Sequence, residues 1–134
     1  MPILKENIME EDEVFKFEKI QSQIEGIYKE IGLLSKKSPN DAVNKFKLKF
    51  INQMLVEANS LLSGDYKPLD GFDKFDEEEL PTNSDVTMIF EQYLNCLEKL
   101  RSDNIVLAIG TWYWVIDGEQ SEIKTLPPKK LIRK

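Results

Sequence analysis

A mainly α protein, a helical bundle built on a long antiparallel helical hairpin plus a third helix, follows from two features of the sequence. Apolar residues recur at steps of three and four over 11–37, 40–63 and 85–103, and short polar breaks separate the first two stretches. A third feature adds a small C-terminal element, since β-branched and aromatic residues crowd together only after residue 104. The 134 residues, 41% hydrophobic and 31% charged, are read as one domain able to bury a core without disulfides or metals.

The first helix, 11–37, carries Phe17, Ile20, Ile24, Ile27, Ile31 and Leu34 in a heptad-like seam. Acids at its start and Lys36 with Lys37 at its end suit the helix dipole. The seam has two readings. It packs on the other helices of its own chain, or on its copy in a homodimer joined through the first helix. Ser38, Pro39, Asn40 and Asp41 then break the helix and offer caps for the next. In that second helix, 40–63, the stripe is read as Val43, Phe46, Phe50, Met54, Ala58 and Leu61, widened by Ile51, Leu55 and Leu62 and stopped at Gly64.

Periodicity disappears over 65–84, where Asp, Glu, Gly and Pro surround Phe72 and Phe75. A connection of this length is longer than most and is a candidate for function. A third helix, 85–103, follows from Val86, Ile89, Phe90, Tyr93, Leu97 and Leu100, with Asn83 or Ser84 as cap. The stretch 105–125 fits a β-hairpin turning at Asp117-Gly118, with Trp112 opposite Ile123, or alternatively a fourth helix stopped at Gly118. Residues 126–134 form a basic tail.

Composition then limits the chemistry. The chain has no histidine and one cysteine, Cys96. Histidine is the commonest general base and transition-metal ligand, so triad hydrolases and histidine-based metal sites are excluded. Cys96 lies in an apolar helical pattern and is read as a buried thiol. Of the six glycines none stands in a nucleotide-binding spacing, and an EF-hand frame around Gly71 would put Tyr66 first and Pro68 third, which are not calcium ligands. No catalytic residue, cofactor or metal is therefore assigned. The net charge of −6 argues against nucleic acid and anionic membrane as partners, although Lys36, Lys37, Lys45, Lys47 and Lys49 cluster near the first turn and Lys129, Lys130, Arg133 and Lys134 at the end. Residues 1–9 do not read as a signal peptide, no run is long enough to span a bilayer, and a cytoplasmic location is expected.

What remains is surface recognition. The expected function is noncatalytic protein binding, as a small acidic adaptor, inhibitor, or antitoxin- or immunity-like partner of a protein with a basic surface. The assigned contact residues are Phe72, Phe75, Asp73, Asp76, Glu77, Glu78 and Glu79 of the loop, with Trp112 and Trp114 as aromatic anchors. Two other classes are an acidic nucleic-acid mimic that blocks a DNA- or RNA-binding protein, and an enzyme that works without histidine.

Overall fold

The computed structural model describes residues 8–132. It orders the chain as α1 (Glu11–Lys37), α2 (Lys45–Leu61), α3 (Asn83–Ser102), β1 (Ile105–Ala108), β2 (Thr111–Ile116) and β3 (Glu119–Thr125). Most of the segment read for a leader, together with Arg133 and Lys134 of the basic tail, lies outside the described residues.

Ion pairs and hydrogen bonds between the helices report their directions. Lys16 reaches Glu57 at 3.3 Å and Lys47 reaches Glu30 at 3.7 Å, so α1 and α2 are antiparallel. Tyr28 donates to Glu91, and Gln21 to Glu98, so α1 and α3 are antiparallel as well. It follows that α2 and α3 run parallel, and the chain must travel back along the bundle between them. The 17 residues of α2 make that return about 25 Å. The long acidic loop is this return, with a 3-10 turn at Gly64–Tyr66 near its start.

Val14, Phe17, Ile20, Ile24 and Ile31 of α1 are buried. The heptad seam thus packs inside its own chain, and of its members Leu34 alone is classed exposed, at 38%. Helix α2 starts later than the sequence suggests. Residues 41–44 are not helical and are tied to the entry of α3, where Val43 N–H donates to the Pro81 carbonyl and Asn83 N–H to that of Asp41. Asn44 then caps the helix by accepting from the Lys47 N–H. At α3, Thr82 and Asp85 form a reciprocal capping box, placing the start two residues earlier than expected.

The mainly α expectation is corrected after α3. The chain is α+β, with a three-stranded antiparallel sheet in the order β1-β2-β3. The helical alternative for 105–125 fails with it. The strand that went unforeseen is β1, which pairs Ile105 with Trp114 and Leu107 with Trp112. The Asp117-Gly118 hairpin forms as expected, but its register does not hold along the ladder. Val115 pairs with Gln120 near the turn, whereas Trp112 pairs with Thr125 and not with Ile123. An irregularity opposite Trp114 makes the shift. There the Ser121 hydroxyl donates to the Trp114 carbonyl and accepts from the Ile123 N–H. The sheet joins the helical core through Trp114, whose ring meets Phe17 edge to face at 5.3 Å.

Candidate protein-binding surfaces

The acidic loop is built as a strap. Asn52, at 6% exposure on the inner side of α2, donates from its side-chain amide to the Phe75 carbonyl and accepts from the Phe75 N–H. One turn pair later, Asn59 donates to the Asp73 carbonyl. Fixed at these points, the strap turns its aromatic residues inward. Phe72 and Phe75 are half-buried, pack on the core and meet each other edge to face at 5.1 Å. The other loop residues assigned from sequence, Asp73, Asp76, Glu77, Glu78 and Glu79, are all exposed. The loop therefore presents carboxylates, with its two rings largely engaged by its own chain.

The tryptophans separate in the same way. Trp114 is fully buried at 0% exposure, which removes it from any partner surface. Its indole N–H is buried without a hydrogen-bond partner. Trp112 is half-buried, and its cross-strand neighbour Leu107 is 53% exposed. The pair Leu107–Trp112 continues the buried Ile105–Trp114 face outward, because alternate residues of a strand share a side.

A third surface was placed in the core by sequence reasoning. The buried residues of α2 are Leu48, Ile51, Asn52, Leu55, Ala58 and Leu61. Phe46 and Phe50 are instead 73% and 40% exposed, with their rings edge to face at 5.0 Å. At about 100° per residue, they lie well around the helix from Asn52 and the strap. Across the groove on α1, Phe15 is 54% exposed. Between the helices lies a hollow of about 610 Å³, whose lining includes Phe15, Phe50, Met54, Lys16 and Lys19. Two stripes competed in the sequence. The aliphatic series Leu48, Ile51, Leu55, Ala58, Leu62 was complete at helical spacing, and each exposed phenylalanine follows a lysine, Lys45 or Lys49. Those two features were the available signal.

The ionisable groups that are buried serve the fold. Arg101, 3% exposed, uses all five N–H donors: two on Glu98, and three on Thr125 Oγ1 and the carbonyls of Leu126 and Pro127. Burial pushes the Glu98 carboxyl upward, but hydrogen bonds from Arg101 and the Lys129 N–H outweigh it and hold the group below the ordinary carboxylate range. Burial pushes the Cys96 thiol up, so less thiolate is available than on a free cysteine. Burial and the bond donated to Asp103 push the Tyr66 phenol up as well. Among the described residues no group of three or more acids or cysteines is placed to hold a metal ion, and no helix is long and apolar enough to cross a membrane.

Comparisons with family models, curated proteins and solved structures give no match to this chain.

Proposed function

We propose that this protein is a noncatalytic protein-binding module, an adaptor, inhibitor, or antitoxin- or immunity-like partner, that docks through the α1–α2 face. The observation that carries the reading is that exposed Phe15 and Phe50 line one groove, with exposed Phe46 edge to face on Phe50 beside it. Clustered exposed aromatics are the usual anchors of protein interfaces and are otherwise a liability in water. Lys19 and the Lys16–Glu57 ion pair line the groove, and Lys45 and Lys49 are exposed beside the phenylalanines. An amphipathic helix with acidic flanks is the complementary occupant. The exposed carboxylates of Asp73, Asp76, Glu77, Glu78 and Glu79 fit a basic patch elsewhere on the same partner, where they favour rapid encounter more than affinity. The engaged Arg101 and the raised Cys96 thiol support a noncatalytic role, and the single cysteine suits a cytoplasmic setting.

The test compares wild type with the Phe46→Ser, Phe50→Ser double variant as bait in the native host. Both residues are exposed, so the variant should keep its melting temperature and lose the partners wild type recovers. Retention of every partner by the folded variant rejects this face.

A further inference from the structure

An open sheet ends in two edges whose main-chain groups lack partners, and folded chains guard such edges with charge or bulges. The two edges of this sheet are guarded unequally. Strand β3 exposes Glu119, Glu122 and Lys124 and pairs with β2 through the irregularity opposite Trp114. Strand β1 carries no charge, and it lies within residues 104–116, the longest uncharged run in the chain. Among the described residues no strand pairs with its other edge.

The ladder fixes which groups face outward there. The Val115 N–H donates to the Asn104 carbonyl at 2.7 Å and Ile105 stands opposite Trp114, so the bonded pairs are 104–115, 106–113 and 108–111. Ile105 and Leu107 therefore turn their N–H and carbonyl groups away from β2. An antiparallel strand satisfies this edge only where its own outward residues meet those two. A second copy of β1 does so in the register that sets Val106 opposite Val106 and Ile105 opposite the partner's Leu107. That register forms four main-chain bonds about a two-fold axis and leaves no outward group of either strand unpaired.

The side chains favour the same pairing. Ile105 and Leu107 share the face of Trp114 and Trp112, so the partner's Ile105 falls beside Leu107, which is 53% exposed. One apolar row then runs from Trp112 through Leu107 into the other copy. A chain of net charge −6 repels its copy over most of its surface, but across this seam no like charges meet. The charges of β3 guard the opposite edge, so growth stops at two chains.

We propose that two copies of this chain pair edge to edge through β1, forming one six-stranded antiparallel sheet in the order β3-β2-β1-β1-β2-β3. The seam of α1 is buried in its own chain, so pairing goes through the sheet and not through the first helix. A four-residue edge is a short contact, and the dimer is accordingly weak and dependent on concentration. The β1 edge is separate from the α1–α2 face, and neither reading depends on the other.

Sedimentation equilibrium from about 1 μM to about 1 mM tests the pairing, and the wild-type mass should rise from one chain towards two. A single-chain mass throughout, or growth beyond two chains, overturns the proposal. Leu107→Lys should weaken the dimer at least about tenfold, whereas Leu33→Lys, at a 65% exposed position on α1, should leave it unchanged. An unaffected dimer in the first variant, or equal loss in the second, also overturns it. The register is read by oxidative cross-linking in a Cys96→Ser background. Val106→Cys should give a covalent dimer, because residues facing each other in a non-bonded antiparallel pair lie about 4.5 Å apart at Cα. Ala108→Cys should not, since its two copies stand about 14 Å apart in this register. Failure to link at 106, or equal linking at 108, overturns the two-fold pairing.

Discussion

The side-chain amide of Asn52 pairs with both backbone groups of Phe75, at 2.9 Å in each direction, and so completes a main-chain ladder that no strand is present to supply. Parallel α2 and α3 require a long return segment, and a return lying on the core would leave polar backbone groups unsatisfied. Asn52 resolves that conflict at half-buried Phe75. Asn52→Ala removes both bonds and strands the Phe75 N–H and carbonyl, so a loss of about 2–3 kcal/mol is expected. Urea denaturation checks it, and a change below about 0.5 kcal/mol would show that the strap is held without Asn52.

Glu98 and Arg101 make stability depend on acidity. The folded Glu98 pKa is lowered, so its contribution is fully present above the ordinary carboxyl range and is lost as pH falls through the lower folded value. Glu98→Gln should cost roughly 3 kcal/mol at neutral pH, because Arg101 keeps its buried charge without a counter-charge. The gap between the two proteins should narrow as pH falls below the carboxyl range. Urea midpoints measured for both from neutral to acidic pH provide the check, and a gap independent of pH would contradict the ion-pair account.

Cys96 should behave as a packing residue. Its raised pKa leaves little thiolate at neutral pH, and half-burial on α3 restricts approach. Labelling by a disulfide reagent in the native protein is expected to be slow and to accelerate in denaturant. A native rate equal to that of a free thiol would reopen a reactive role for this residue.

The three helices were legible because their apolar spacing needs no knowledge of neighbours. What failed to show was tertiary. Two stripes on α2 were each self-consistent, and only packing decides that Leu48 and Leu55 face in while Phe46 and Phe50 face out. Likewise, Phe72 and Phe75 look like recognition residues in an acidic loop until the parallel course of α2 and α3 makes that loop a strap. Its carboxylates, assigned from sequence as partner contacts, are exposed. The seating of 126–132 along α3 had no sequence signal, since Asn95, Glu98 and Arg101 hold it by its main chain.

The missed strand β1 has a local cause and yields the last prediction. The β1–β2 turn has Ile109 at φ +48° followed by Gly110 at +79°, and the β2–β3 turn has Asp117 at +53° followed by Gly118 at +80°. The two turns thus share the left-handed, left-handed form that closes tight hairpins. Aspartate and glycine adopt it readily, which is why the second turn was visible. A β-branched residue adopts it only under strain of about 1–2 kcal/mol, so Ile109-Gly110 does not read as a turn. The Ile109 side chain is 104% exposed and offsets none of that strain by packing. Ile109→Asn should therefore stabilise the protein by about 0.5–1 kcal/mol and raise its melting temperature by a few degrees. The reciprocal Asp117→Ile should destabilise it by a similar amount, with denaturant midpoints reporting both. If Ile109→Asn is neutral or destabilising, the isoleucine has contacts that its exposure does not show, and the strain account of the hidden strand fails.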